Sequence, residues 1–173
     1  ERPRVRRSRR VSGRRGAAAG WDDAERELQT AVAEASDDPL VLAEALLTLA
    51  AATDDIALAE ASSQRALDLL GAQEEPDPVI LSGALDQVAG ARFRAGRGLD
   101  HDMFARAIAI ERRHPYRRLS DRADTSYAVL LKYADDLDGS EDRLCSLLEE
   151  ARAIGDLSSI TYALGHLVQI SLW

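Results

Sequence analysis

Cysteine is almost absent from this sequence, since Cys145 is the only one among 173 residues. A single cysteine excludes an intrachain disulfide, so the composition favours a reducing compartment and we expect a cytoplasmic protein. Long apolar runs are also missing, because no stretch approaches the roughly 18 uninterrupted apolar residues of a membrane span. No apolar signal core follows the Arg-rich beginning, which runs into "VSGRRGAAAG" instead. The sequence therefore predicts no membrane contact.

Aromatic residues are scarce as well, at 5% of the sequence, whereas alanine occurs 30 times. The strands of a β-sandwich prefer aromatic and β-branched residues, so this composition favours closely packed helices over strands. A chain of 173 residues is long enough for one domain with a hydrophobic core. The composition therefore predicts an all-α domain.

Positive charge is scarce outside one end of the chain. Residues 1–20 hold eight Arg and one Glu, a net charge of +7, whereas residues 21–173 hold 14 basic and 29 acidic side chains, a net charge of −15. We expect the acidic part to repel nucleic acid, so no direct nucleic-acid contact is predicted from residues 21–173.

The Arg-rich segment 1–20 contains no aromatic side chain and no pattern of a recognition helix. It is interpreted as a disordered or non-native segment, for example from a misplaced gene start, and a nucleic-acid-binding arm is the alternative. The sequence begins at Glu1 without an initiator Met. We therefore expect a fragment of a longer protein.

Helical periodicity interrupted by Asp, Gly and Pro signals begins at Trp21 and continues to the last residue. Pro78 suits the first turn of a helix, and Ser120 suits an N-cap. The pattern predicts eight helices and no strand. These helices cover residues 21–35, 40–52, 56–70, 79–95, 99–113, 119–134, 137–154 and 157–173.

The predicted helices repeat in pairs. Ala59 and Ala66 lie seven residues apart on one face of a helix that follows an aspartate turn, and Ala24 and Ala31 show the same spacing. Small side chains at this spacing allow the second helix of a pair to pack closely against the first.

These alanine pairs resemble the second helix of a tetratricopeptide repeat, and "ALGHL" near the end resembles its first helix, with Leu164 and Gly165 at the Leu-Gly positions. Spacings between equivalent first-helix positions are about 41, 40 and 37 residues, longer than the standard repeat of about 34. The aligned positions are Leu47, Val88 or Ala89, Ala128 and Gly165. The resemblance implies a superhelical solenoid of antiparallel helix pairs over residues 21–173, truncated at both ends, with apolar end faces.

The acidic stretch "YADDLDGSEDRL" resembles the start of a calcium-binding loop, because acidic residues at alternate positions are followed by a glycine. If Gly139 took the glycine position of such a loop, Asp136 and Asp138 would be ligands, but Ala134 and Cys145 would occupy the first and last ligand positions. The stretch is therefore interpreted as a turn between helices, with its aspartates acting as caps and first-turn charges.

No catalytic, metal or cofactor site is predicted from the remaining motifs. The three histidines, His101, His114 and His166, are scattered, and the glycines of residues 96–98 lack the Lys-Ser/Thr of a phosphate-binding loop. Cys145 has no histidine near it in sequence.

One binding surface is a candidate, because first helices of tetratricopeptide arrays line a concave face. Polar and aromatic side chains recur on the predicted first helices, and they could hold a protein, a peptide or a small-molecule effector; ordinary surface and contact with missing repeats are the alternatives. The candidates are Arg92, Arg94, Tyr127, Lys132, Tyr162, His166 and Gln169.

The second half of the chain also resembles the helical region of large actinobacterial LuxR-type regulators, the MalT-like ATPases. The resemblance extends from about Trp21 to Trp173 and rests on residues 91–111, 127–138 and 149–173. It implies a place between an N-terminal ATPase and a C-terminal helix-turn-helix DNA-binding domain, with a role in effector sensing, protein–protein interaction, restraint of the ATPase or self-association. No functional residue of either domain is carried over. A stand-alone adaptor that binds a peptide or protein is the alternative, and no group of residues supports an enzyme.

Overall fold

The structure is a computed structural model that describes residues 11–114 and 118–173. Eight α-helices occupy these residues, and two short 3₁₀ turns, Ala35–Asp37 and Leu119–Asp121, join them in two places. The helices are α1 (Val11–Glu34), α2 (Pro39–Ala52), α3 (Ile56–Gly71), α4 (Pro78–Arg94), α5 (His101–Arg113), α6 (Ala123–Tyr133), α7 (Leu137–Ile154) and α8 (Leu157–Ser171). No strand occurs within this described part of the chain. The predicted all-α class is confirmed.

Aspartate side chains begin most of these helices. At α2, Asp38 accepts hydrogen bonds from the backbone amides of Leu40 and Val41, and Pro39 stands at the first helical position, where no amide donor is needed. The start of α4 repeats this arrangement with Asp77 and Pro78, as predicted. The other aspartate caps are Asp55, Asp100, Asp136 and Asp156.

Three helices end in a left-handed residue. Gly96 and Gly155 have φ of 76° and 74°, and Asp135 has φ of 65°. In each case the amide of the following residue bonds back across the last turn, as when Asp156 N donates to Ala151 O at 2.9 Å. The sequence prediction that glycines terminate α4 and α7 is confirmed.

The prediction that Ser120 caps α6 is wrong. Ser120 lies in the 3₁₀ turn, where its hydroxyl donates to Asp121 Oδ1 and its amide donates to Ser159 Oγ. The helix begins at Ala123, whose amide donates to the Oε2 atom of buried Glu111 at 2.9 Å. A side chain of α5 therefore takes the role that sequence reasoning assigned to a neighbouring hydroxyl.

The first helix also differs from its prediction, since α1 already includes residues from Val11, where the described part of the chain begins, whereas the predicted helix began at Trp21. Ala24 is half-buried and Ala31 is exposed, whereas Ala59 and Ala66 are wholly buried. The alanine pair of α1 is thus not equivalent to the pair of α3. Residues 1–10 lie outside the described part, and a domain boundary at residue 20 stays a prediction.

Each helix packs against the next one in the chain, and α2, α4 and α6 also contact one another in sequence. The short connections make consecutive helices antiparallel. The first core cluster joins α2, α3 and α4, the second joins α4, α5 and α6, and the third joins α6, α7 and α8 with the second 3₁₀ turn. This is the neighbour-to-neighbour packing expected of stacked helix pairs, while the superhelical course stays a prediction.

The core clusters combine leucines with small residues. Four of the five aligned repeat positions, Leu47, Val88, Ala89 and Ala128, are buried, and Gly165 is exposed. Phe104 is the largest wholly buried side chain of the described residues. None of the described helices has both the length and the apolar character that a bilayer span requires.

Candidate functional site

The acidic turn at residues 133–144 is a helix start. Asp136 Oδ1 accepts a hydrogen bond from the Gly139 amide at 3.0 Å, and Asp138 lies in the first turn of α7. A Cβ at position 139 would lie 2.5 Å from Asp136 Oδ2, so the cap requires glycine there. The interpretation of these aspartates as a cap and a first-turn charge is confirmed. In the described ranges no group of three or more His, Cys, Asp or Glu side chains could hold a metal ion.

The histidines and the cysteine lie apart from one another. His101 Nδ1 is 2.7 Å from the hydroxyl of Tyr127, and His114 ends α5. His166 lies on α8, and Cys145 is exposed on α7. His101 and His114 lie at opposite ends of α5, and Cys145 and His166 lie on two other helices, in agreement with their scatter in the sequence.

Two of the seven predicted binding residues serve packing between helices. The guanidinium of Arg92 donates to Gln64 Oε1 at 3.1 Å and lies 3.6 Å from Asp100 Oδ2, so it ties α4 to α3 and to the start of α5. The ring of Tyr127 stacks on Phe104 with centroids 5.0 Å apart, and Arg143 lies over it at 4.6 Å.

Four of the predicted residues meet between α6 and α8. Lys132 is wholly buried, and its Nζ atom lies 2.9 Å from His166 Nδ1 and donates to Gln169 Oε1. Because an ammonium group only donates, Nδ1 of His166 is the acceptor. The rings of Tyr162 and His166 meet edge to face, 4.7 Å apart. Lys132 has no surface to offer a ligand, so it positions His166 and Gln169, and His166 in turn contacts Tyr162.

Burial changes the acid–base behaviour of this cluster. The pKa of His166 is lowered by burial and by the charge of Lys132. Burial raises the pKa of Tyr162, and the charges of Tyr133, Asp86 and Asp121 raise it further. His166 therefore favours its neutral form and Tyr162 its phenol form at neutral pH.

Tyr162 and Arg94 line a cavity of about 430 Å³, whose other lining residues come from α2, α3, α4, α6 and the second 3₁₀ turn. Several residues of its lining have no side chain beyond Cβ, and these are Ala50, Ala51, Ala59, Gly90 and Ala91. The polar lining consists of Asp86, Gln87, Arg94, Asp121, Ser126 and Tyr162. The volume lies within the range of about 300 to 1,000 Å³ that is typical of ligand pockets.

A second cavity, of about 490 Å³, continues the first one between α2 and α4. Ala51 and Gln87 line both cavities, so the two adjoin, and Glu44 and Thr48 lie at the far end. We call the two cavities together the concave groove. The Oε1 atom of Gln87 is buried and has no hydrogen-bond partner among the described residues.

Sequence reasoning identified only Arg94 and Tyr162 of this groove and missed Gln87 and Gly90. A signal for both was present, because Gly90 and Gln87 precede Arg94 by four and seven residues and therefore share its helix face. Asp121 and Ser126 had no such signal, since they reach the groove only through the packing of α6 and its preceding turn.

A second surface is the outer side of α8, which we call the α8 face. Its exposed apolar residues recur at the spacing of one helix face and are Leu157, Leu164, Val168 and Leu172. The opposite side of α8 packs into the third core cluster through Ile160, Ala163 and Leu167. Leu164 and Gly165, the residues that resemble a tetratricopeptide first helix, thus lie on the exposed side.

Comparison with known proteins found no matching family model, no matching curated protein and no matching solved structure.

Proposed function

We propose that this chain is a non-catalytic binding module of a cytoplasmic protein, with the concave groove as its binding site. The observation that carries the proposal is the groove itself, which is of ligand size and is lined by Gln87, whose buried Oε1 atom has no donor among the described residues. Alanine and glycine in its lining allow the backbone of a guest to approach closely. A peptide or a small-molecule effector suits such a site.

Binding is favoured over catalysis by the side chains that line the groove. Among the described residues they include neither histidine, cysteine nor lysine. The one buried lysine, Lys132, already donates to His166 and Gln169. The described lining therefore offers no nucleophile next to a histidine or a lysine, although the hydroxyl of Ser126 does donate to the carboxylate of Asp86.

For the whole protein we propose a LuxR-type transcriptional regulator of the MalT-like class, in which this module senses an effector or a partner. The resemblance of residues 91–111, 127–138 and 149–173 supports this role. The genomic reading frame on both sides of the segment tests this proposal. We expect an ATPase domain with a phosphate-binding loop before the segment and a helix-turn-helix domain after it. A frame with neither domain would contradict the regulator and favour a stand-alone adaptor.

Self-association through the α8 face is a second proposal, favoured by its exposed leucines and valine. Contiguous apolar surface of this kind marks interaction sites in soluble proteins.

Blocking the groove tests the binding proposal. Peptides selected from a random display library on the immobilised protein are expected to bind the Gly90→Gln variant at least about tenfold more weakly, because the new side chain projects into the groove. A Cβ at position 90 meets nothing within 4 Å, so the substitution leaves the helix undisturbed. Fluorescence anisotropy of a labelled peptide measures the affinity.

The matched control is Gly165→Gln, at another helical glycine with nothing within 4 Å of a Cβ and outside the groove. It should bind as the parent does. If the two variants bind alike, or if no peptide is selected, the groove is not the binding site.

A further inference from the structure

The concave groove carries an excess of negative charge. Its lining contains three carboxylates, those of Glu44, Asp86 and Asp121, against one guanidinium, that of Arg94. A groove with low-dielectric walls concentrates the field of such charges, so it attracts a cationic guest. This observation goes beyond the size of the groove, because it selects the chemistry of what enters.

Two of these carboxylates, those of Asp86 and Asp121, lie at the end of the groove that Tyr162 lines. Hydroxyl groups hold both in place, since Ser126 Oγ donates to Asp86 Oδ2 at 3.2 Å and Ser120 Oγ donates to Asp121 Oδ1 at 3.0 Å. Both charges contribute to the raised pKa of Tyr162, which lines the same end. The phenol group therefore experiences the field of both carboxylates.

Tyr162 supplies an aromatic wall at this end. Its ring is braced edge to face by His166, which in turn accepts a hydrogen bond from buried Lys132. An aromatic face next to carboxylates suits a guanidinium group, which is planar, carries five donors and stacks on aromatic rings.

Gln87, which lines both cavities of the groove, needs a hydrogen-bond donor from a guest. Gln87 Oε1 is buried without a partner in the described structure, and the small residues Ala51 and Gly90 line the same cavity as Gln87. The amide of an extended peptide backbone is a donor that fits between such small side chains. Each of the two cavities of the groove, of about 430 and 490 Å³, also exceeds the volume of a single amino acid.

We propose that the guest of the concave groove is an extended peptide segment with an arginine side chain, whose guanidinium lies at the end formed by Asp86, Asp121 and Tyr162. The inference rests on the proposed function and adds the charge and the anchoring residue of the partner. Backbone amides of the same segment donate to Gln87.

Synthetic fluorescein-labelled peptides test the inference. Three peptides share one neutral Gly/Ala/Ser sequence and differ only in the central residue, which is arginine, citrulline or glutamate. Citrulline keeps the shape of arginine without its charge. We expect the arginine peptide to bind at least about tenfold more tightly than the citrulline peptide, because hydrogen bonds to charged groups are the stronger ones. Asp86→Asn and Asp121→Asn should each remove most of this preference.

Asp142→Asn is the matched control, because it removes the same charge from an exposed site on α7 outside the groove. It should leave the preference unchanged, and thermal unfolding of each variant establishes that the fold is retained. Binding of the arginine peptide that is insensitive to Asp86→Asn, Asp121→Asn and Gly90→Gln would show general attraction to an acidic chain and would overturn the inference.

The remaining outcomes separate this inference from the proposed function. Peptides with citrulline or glutamate that bind as well as the arginine peptide, and lose affinity on Gly90→Gln, would overturn the inference and leave the binding groove in place. Arginine amide that binds as tightly as the peptide would exclude the extended segment. Failure of every peptide to bind, together with failure of library selection, would overturn both.

Discussion

Asp135 has a left-handed backbone conformation, with φ of 65°, which is less favourable for aspartate than for glycine. It is the one residue other than glycine, within the described ranges, with a positive φ, and it ends α6 at the position where Gly96 ends α4 and Gly155 ends α7. Its carboxylate also lies at the negative end of the α6 dipole. Local geometry and local charge therefore both favour another residue there.

We expect Asp135→Gly to raise the free energy of unfolding by about 0.5 to 1 kcal/mol, because glycine adopts the left-handed conformation without a Cβ conflict. Denaturant unfolding measures the change. Asp138→Gly, inside the first turn of α7, is the control and should lower the stability. Equal or reduced stability of Asp135→Gly would show that the aspartate is not strained.

His166 is a histidine whose titration is coupled to the stability of the fold. The pKa of its imidazole is lowered by burial and by Lys132, so the folded protein disfavours the protonated form relative to the unfolded chain. Its contribution is therefore fully present above the ordinary pKa of 6.5 and is lost as the pH falls through the lowered value. The groups that face it are Lys132 of α6 and Tyr162 and Gln169 of α8.

We expect the free energy of unfolding of the parent to be lower at pH 5.5 than at pH 7.5, and the decrease should begin at about pH 6.5. His166→Asn should lose this part of the pH dependence, because its amide oxygen accepts from Lys132 without titrating. His101→Asn, exposed at the start of α5, should retain it. A parent and a His166→Asn variant with parallel pH profiles would contradict the coupling.

At the scale of elements, the beginning of α6 shows how a helix is positioned by a residue far along the chain. Six of the described helices begin with an aspartate whose side chain caps them through residues two or three positions ahead, as Asp38 does for α2. The N-cap Arg122 of α6 makes no side-chain cap, and buried Glu111 of α5 accepts from the Ala123 amide instead. The helix start therefore depends on the packing of α5 against α6.

Glu111→Ala should destabilise the protein by about 1 to 3 kcal/mol, because it leaves a buried amide without its acceptor. Glu111→Gln keeps an acceptor oxygen of similar reach and should cost less. Denaturant unfolding measures both, and hydrogen exchange at the Ala123 amide locates the effect. Equal losses in the two variants would indicate that the carboxylate charge, and not the cap, is what α6 requires.

At the scale of the whole molecule, the packing of neighbours leaves one helix with an apolar side exposed. The α1, α3, α5 and α7 helices each contact the helix that follows, but the α8 face has no covering helix in the described chain. Exposed leucines at helical spacing are what an antiparallel partner helix would bury. The proposed self-association follows from this architecture.

Val168→Glu and Leu164→Glu are expected to shift the protein towards the monomer, since each places a charge at the centre of the α8 face. Light scattering over a range of concentrations measures the mass. Glu150→Gln, a charge change at an exposed site on α7, serves as the control. A parent that is monomeric at every concentration would contradict self-association through this face.

Helix positions were predictable from the sequence because their determinants are local. Asp77 and Pro78 begin α4, and Gly96 ends it, through bonds that span a few residues. The all-α class followed from the same signals and from the alanine content. The start of α6 escaped prediction, because its cap comes from Glu111 of α5.

Tertiary structure alone decided the binding surface. Helical periodicity places Arg94 and Gly90 on one face, but only packing brings that face opposite Tyr162 and separates it from Arg92 and Tyr127. It also buries Lys132, which the sequence shows as a charged residue of ordinary surface type. The physical reason is the sequence distance over which each interaction acts. Helix caps and helix-terminating residues act within about one turn, whereas a groove and a buried charge depend on contacts between residues far apart in the chain.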